Sequence, residues 1–395
     1  MAESVREVTT VAIIGAGPAG LTLANLLCRS GVDCMVLERQ SRSYIESRQR
    51  AGVLDRRAGR MFAEWGLADQ VLEGTSAYGT LEIRTDGEPR YLDVPALAGG
   101  QHSWLLTQQV LVRRLLGALE DGKADLRMEA DVEVMCDLDG DQPMVRYRDR
   151  AGDIHEVRCD YVAGCDGFHG ASRRSVPAGA LTTYTYDHGV GWITVLAEAP
   201  PPRHPLMAIS RHGYAAQFPR GAHASRYYLQ CPVGDGVASW PDEKVWCQLR
   251  LRLGDEALPD GVIVERAAVE MRSFVVDPMS YGRLFLVGDA AHLITPLGGK
   301  GMNLALGDAD VLARALCAAV LRGDDALLRA YSSTCLRRIW NYQEFSRWMT
   351  EMVHDAGDAS GCGPFRRELA RARLARLFDS PPAATAFATL LSGVD

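Results

Sequence analysis

A short apolar strand running into a glycine-rich turn, a β-rich middle and a helical end together predict an α/β fold. Its first part reads as a Rossmann-like GxGxxG domain, followed by an inserted β-rich domain and a C-terminal helical region. The chain has 395 residues, enough for several domains and an ample core. The expected division is 1–183 for the nucleotide-binding part, 184–287 for the β-rich part and 288–395 for the helical part.

The elements follow in order. Val11 to Ile14 is a buried strand entering Gly15-Ala16-Gly17-Pro18-Ala19-Gly20. A helix from Pro18 to Arg29 carries Leu21, Leu23, Leu26 and Leu27 and stops at Gly31. The strand Cys34 to Leu37 ends in Glu38 and closes a βαβ unit. Helices are expected near Arg57–Leu72 and Thr107–Leu119, and strands near Ala130–Leu138 and Val157–Gly164. From Tyr184 to Pro232 the chain reads as β, with strands at Val190–Glu198, Leu206–Phe218 and Ser225–Cys231. Long helices are expected from Gly299 to Leu321 and from Ala326 to Val353, the second suited to a dimer interface. Exposed loops are expected at Gly140–Pro143 and Ala356–Pro364.

Composition narrows the function classes. A formal charge of −7 with scattered arginines argues against a nucleic-acid partner, which needs a clustered basic excess. The uncharged stretch Val11–Leu27 is broken by four Gly or Pro residues and lacks a basic start, so it is no signal peptide. No run elsewhere reaches membrane-spanning length without a charge. The ten cysteines show no paired metal spacing, and Cys28, Cys247 and Cys317 read as core residues. A cytoplasmic protein without metal is expected.

Three motifs carry chemistry. In the fingerprint, Gly15 permits the tight turn, Gly17 lets backbone approach a pyrophosphate, and Gly20 lets helix and strand pack closely. The phosphates would meet the helix N-terminus, and Glu38 would accept hydrogen bonds from ribose hydroxyls. Cys165-Asp166-Gly167 and Gly288-Asp289-Ala290-Ala291-His292 each put an aspartate at the C-terminal end of an apolar strand, where α/β folds place ligands. Together, in this order, the three resemble the FAD-dependent aromatic hydroxylases. That class implies that Asp289 binds the FAD ribityl chain and that Asp166-Gly167 supports both FAD and the nicotinamide cofactor.

Longer strings tighten the resemblance: Val11 to Gly20, Leu37 to Gln40, Arg48 to Leu54, Asp160 to Gly170, Arg226 to Tyr228, Arg272 to Val276 and Cys335 to Trp340. From about Val11 to Met352 the chain is similar to the 4-hydroxybenzoate 3-monooxygenase (p-hydroxybenzoate hydroxylase) family. The resemblance implies FAD contacts at Glu38, Arg50, Gln108, Asp289 and the segment Leu297 to Asn303, which includes Gly301, Met302 and Asn303. That segment opens a long helix whose N–H groups would stabilise negative charge on reduced flavin, with Lys300 either adding to the field or standing exposed. It implies NADPH contacts at Arg39, Gln40, Tyr44, Arg48, His169 and Arg173. Arg39 and Arg42 beside Arg48 suit a 2′-phosphate. It also implies Arg220 on a substrate carboxylate, Tyr228 as a second pocket residue and the Pro296 carbonyl facing the ring hydroxyl. A homodimer is expected.

The chain departs from that family at the pocket. Met207 stands where the family has a phenol-binding tyrosine, and a second relay tyrosine falls near Leu391. Phe218 replaces a carboxylate-holding serine, Leu297 a threonine and Tyr78 the outer histidine of the relay. Tyr214 is a candidate replacement if strand alternation turns it inward. The implied reaction is reduction of FAD by NADPH, capture of O2 as a flavin hydroperoxide and hydroxylation of an electron-rich ring. A missing phenolate relay favours an amino-substituted substrate such as 3-amino-4-hydroxybenzoate over plain 4-hydroxybenzoate. The alternatives are plain 4-hydroxybenzoate 3-hydroxylation, or a non-oxygenating flavoprotein that senses an aromatic acid.

Overall fold

The structure, a computed structural model, describes residues 6–48, 52–100, 102–122, 124–357 and 362–393. They fall into two compact units, each built from three stretches of chain. The first unit comprises the described residues of Met1–Ser76, Trp104–Thr185 and Ser273–Gln343. The second comprises those of Ala77–Ser103, Tyr186–Arg272 and Glu344–Asp395. The helical C-terminal region is therefore shared between the units rather than forming a third body, and a short early segment joins the β-rich part.

In the first unit a mostly parallel sheet is centred on β1 (Arg6–Ile14). β1 pairs in parallel with Ile154–Gly164 on one side and with β2 (Cys34–Glu38) on the other. Asp125–Met128 extends the sheet beyond β2, and Leu284–Leu286 extends it beyond Ile154–Gly164. Val11, Ala12 and Ile13 are fully buried, as expected of a central strand covered on both faces. The crossover helix α1 (Pro18–Arg29) packs on the helices Lys300–Arg322 and Gln108–Asp121. Its buried Asn25 donates to the carbonyls of Leu21 and Leu115.

The second unit is a twisted antiparallel sheet with one parallel join. Its strands run Val262–Asp277 and Thr182–Glu198, whose residues 273–277 and 182–185 count with the first unit, then Ser225–Cys231, Gly213–Pro219, Leu206–Ser210, Thr80–Thr85 and Glu88–Asp93. Leu206–Ser210 lies parallel to Thr80–Thr85. The helix Asp242–Leu253 covers one face, where Ile193, Val195, Ala208, Tyr227 and Leu229 form a core with Val245, Trp246 and Leu249.

The elements depart from expectation in several places. Leu206–Phe218 is two strands with a tight turn at Arg211-His212, not one. The helix expected over Arg57–Leu72 is two, Arg56–Glu64 and Ala68–Leu72, because Gly66 takes a positive φ between them. The helix Asp242–Leu253 and the strand Val262–Asp277 were not anticipated, since Arg and Leu alternate in the first and charge interrupts the second. The segment beyond 362 is helical, Gly363–Asp379 and Pro381–Ser392.

Candidate active site

The glycine-rich turn of the first unit is shaped by contact. A side chain at Gly15, whose φ is +101°, would lie 2.6 Å from the Cys165 carbonyl oxygen, and one at Gly20 would lie 1.9 Å from the Gly15 oxygen. Gly17 is different: a Cβ there would meet nothing within 4 Å. The space in front of the α1 N-terminus is open, and no side chain caps that end of the helix. Uncapped N–H groups facing open space fit a pyrophosphate. The Glu38 carboxylate accepts from Ala16 N and Gln40 N, both at 2.7 Å, so it fastens the turn to the end of β2 while each oxygen keeps a lone pair.

Two aspartate motifs stand at the same end of the sheet. Asp166 accepts from Ser172 N and Oγ through Oδ2, while its buried Oδ1 has no partner among the described residues. Burial pushes its carboxyl pKa up, and the Ser172 bonds oppose that shift. An unsatisfied buried acceptor beside the turn fits a donor from a bound nucleotide. Asp289 sits in the short helical turn Gly288–Ala290. That turn is braced from beneath by Asp308, which accepts from Gly288 N at 3.2 Å, His292 Nε2 at 2.6 Å and Arg338 Nη2 at 3.1 Å. Burial drives the Asp308 carboxyl upward, but His292 and Arg338 outweigh it and hold it below the usual range. The sequence reading missed this bracing pair, Asp308 and Arg338; their only signal was a charge on each of two otherwise apolar helix faces.

The segment Leu297 to Asn303 turns through Gly298 and Gly299 into the helix Lys300–Arg322, which no side chain caps. Asn303 donates to the carbonyls of Val53 and Gly299 and accepts from Asp55 N, locking the helix start to the strand Val53–Leu54. Gly301 and Met302 lie in its first turn. Lys300 is only 1 % exposed, so it is not the exposed lysine of one expectation. Its Nζ lies 3.1 Å from Asp55 Oδ2 and 5.2 Å from the centre of the Tyr342 ring. Burial pulls the Lys300 pKa down and Asp55 opposes it. The Pro296 carbonyl, expected to face a ring hydroxyl, accepts from Gly299 N at 3.0 Å, and Leu297 is buried. Gln108 opens the helix Gln108–Asp121. Arg50 lies outside the described residues.

The residues expected to meet a nicotinamide cofactor differ in exposure and in what they touch. Arg39 is exposed beyond β2 with Gln40 beside it, Tyr44 is exposed, and the Arg48 guanidinium sits 6.0 Å from the Tyr44 ring centre. Arg42, by contrast, is held by Glu46 and Glu120. His169 is exposed and edge-on to Phe168. Arg173 donates to the carbonyls of Ala290 and Phe168 and lies over the Phe168 and Phe274 rings. Its donors tie the Asp166 loop to the Asp289 turn, a structural task that its basic charge did not reveal.

In the second unit, register sorts the substrate candidates. Met207 pairs with Ala216, Ala216 with Tyr228 and Tyr228 with Thr194, while Ile209 pairs with Tyr214. Side chains alternate along strands, so Met207, Tyr214, Phe218, Tyr228, Trp192 and Thr194 share the face opposite the Asp242–Leu253 helix. Tyr214 therefore turns to the Met207 side. It is stacked on Trp192 at 5.5 Å and lies 5.2 Å from the His354 ring. Tyr228 packs on Trp192 and edge-on to Phe218. Trp192 Nε1 donates to His354 Nε2 at 2.7 Å, and His354 Nδ1 donates to the Thr350 carbonyl. Burial lowers the His354 pKa to about 4, so the ring is neutral at pH 7. The sequence reading missed Trp192 and His354; the first lies two residues from Thr194, the register partner of Tyr228.

Two arginines border this face. Arg226 is neutralised by Glu265 and also donates to Thr194 Oγ1. Arg220 is half-buried, its side chain meets the Tyr228 hydroxyl and the Pro219 carbonyl, the latter at 3.5 Å, and it has no carboxylate partner among the described residues. Burial lowers its pKa, and Tyr228 opposes that.

The first unit offers a nucleotide cradle and the second a sheet face with aromatic walls, and comparison with known proteins says what such a chain is similar to. The family described as "FAD binding domain" matches residues 8–346. The p-hydroxybenzoate hydroxylase of Acinetobacter baylyi is 36% identical over 351 residues, covering 88% of this chain and 86% of that protein. A probable NADH-specific resorcinol 4-hydroxylase of Rhodococcus jostii is 29% identical, covering 83% of this chain and 62% of that one. The crystal structure of p-nitrophenol 4-monooxygenase PnpA from Pseudomonas putida DLL-E4 shares the fold, with a TM-score of 0.85 at 20% identity over 98% of this chain and 99% of that one. The chain belongs to the p-hydroxybenzoate hydroxylase family of FAD-dependent aromatic hydroxylases, and its reaction class is flavin-dependent monooxygenation.

Proposed function

We propose that this enzyme hydroxylates a 4-hydroxybenzoate-type acid with NADPH as reductant, and that its preferred substrate carries a ring amino group, as in 3-amino-4-hydroxybenzoate. The observation that carries the reading is Arg220: a half-buried cation without an anion is costly, and a substrate carboxylate would offset that cost. When bound, FAD supplies the redox and oxygen chemistry. The first unit's own task is to hold it: the α1 N-terminus and Gly17 take the pyrophosphate, Glu38 the ribose and Asp289 the ribityl chain. In the second unit, Arg220 fixes the acid, Tyr228 lies beside that charge, and the Trp192, Phe218 and Met207 walls exclude water.

Electron density on the ring decides which acid. Met207 is buried on the substrate face and accepts no proton, which supports a substrate made electron-rich by an amino group. Tyr214 shares that face but lies packed between Trp192 and His354. For the reductant, Arg39 and Arg48 support NADPH; Arg42, already paired twice, adds nothing to it.

The test is kcat/KM for both acids in wild type and Met207→Tyr, with product analysis. The amino compound should be favoured by about tenfold or more in wild type, a difference of about 1.4 kcal/mol in transition-state binding, and Met207→Tyr should narrow the gap. Equal, fully coupled hydroxylation of plain 4-hydroxybenzoate by wild type would overturn the amino preference.

A further inference from the structure

Cys28 lies one residue before the end of α1, and Cys34 is the first residue of β2. Their sulfurs are 3.7 Å apart across the turn that joins the two elements. Cys34 is 3 % exposed, whereas Cys28 is half-buried and reached by solvent. This thiol pair stands at the end of α1 remote from Gly17, so nothing in FAD binding requires it. Two thiols in contact, one accessible and one covered, is the arrangement of an attacking and a resolving cysteine.

We propose that Cys28 and Cys34 form a peroxide-reactive dithiol that closes to a disulfide. The oxidant is hydrogen peroxide, which a flavin-dependent monooxygenase releases whenever oxygen reduction is not followed by ring hydroxylation. The Cys28 thiolate attacks one peroxide oxygen, the O–O bond breaks, and the departing hydroxide takes a proton to leave as water. The Cys28 sulfenic acid is then attacked by the Cys34 sulfur; the S–O bond breaks and a second water departs with the Cys34 proton. Two thiols are oxidised by two electrons and one peroxide is reduced to two waters. An S–S bond is ~2.05 Å long, so the sulfurs, already in contact, have a short gap left to close. The hydrogen bond from Cys34 holds the Cys28 thiol below its ordinary range, against burial and Asp33, while the same contact raises Cys34. The accessible sulfur is thus the one that attacks.

Trypsin makes the pair easy to read, because Arg29 separates the two cysteines. The FAD-loaded enzyme is treated with one equivalent of hydrogen peroxide, blocked with a thiol reagent and digested. The expected product is Glu7–Arg29 joined to Ser30–Arg39, two hydrogens lighter than the sum and released by reductant. Cys28→Ser should leave Cys34 reduced at the same dose, and Cys34→Ser should carry Cys28 on to the sulfinic acid. If Cys34→Ser does not fold, the half-exposed Cys28→Ser variant still decides. The proposal is overturned if exposed Cys247 gains oxygen while no joined peptide appears, or if Cys34 is oxidised equally in Cys28→Ser. Neither result depends on which acid the enzyme hydroxylates.

Discussion

Arg220 and Lys300 are both cations drawn out of water, and they meet the cost differently. Lys300 has Asp55 within its own unit, whereas Arg220 has no carboxylate among the described residues. Arg220→Ala should therefore raise KM for the acid by roughly tenfold or more, a charged hydrogen bond being worth about 1.5–3 kcal/mol, with FAD content unchanged. Titration of KM against FAD content in the purified variant checks this, and an unchanged KM counts against the assignment. Lys300→Met leaves the Asp55 carboxylate buried and unpaired, so it should cost about 3–5 kcal/mol in urea melts. Asp55→Asn in the same chain should recover part of that loss. At this scale Arg220 and Tyr228 entered through the resemblance to the family alone, and register now puts Tyr228 on the Met207 face. The sequence was opaque where partners are far apart in the chain. Nothing near Lys300 announces Asp55, and nothing near Trp192 announces His354.

At the scale of elements, the glycines of the α1 turn separate folding from binding. Gly20→Ala puts a methyl 1.9 Å from the Gly15 oxygen, so it should lower Tm or prevent folding. Gly17→Ala meets nothing within 4 Å and keeps an ordinary φ of −73°, so its Tm in the absence of FAD should match wild type. Its FAD affinity should fall by about tenfold or more, because the methyl occupies the space in front of the helix N-terminus. Equilibrium titration with FAD reads the difference, and wild-type affinity in Gly17→Ala would show that the pyrophosphate lies elsewhere. The βαβ unit was readable from sequence because its strand, turn, helix and acid are consecutive and each has one physical purpose. The hairpin within Leu206–Phe218 was missed although Ser210, Arg211, His212 and Gly213, the last at positive φ, interrupt the apolar run with a turn.

At the scale of the molecule, acid should destabilise the fold through His354. Its folded pKa of about 4 lies below the unfolded reference of 6.5, so the unfolded chain binds the proton more tightly between those values. Stability is thus fully present above about pH 6.5 and lost as pH falls toward 4, by up to roughly 3 kcal/mol from this one group. Urea midpoints across that window should fall with acid, and His354→Gln, which keeps an acceptor for Trp192, should flatten the slope. The division into two units was the least legible feature of the whole. The described residues of 77–103 and 344–395 join the β-rich unit by pairing and packing with chain far away in sequence, which local composition does not encode.

Turnover under isotopically labelled O2, with NADPH and 3-amino-4-hydroxybenzoate, tests the central claim most directly. The enzyme should yield a product heavier by one labelled oxygen atom, formed in step with NADPH consumed, and Arg220→Ala should lose that product at substrate concentrations that saturate wild type. NADPH consumption that ignores the acid, or a product without labelled oxygen, would contradict it.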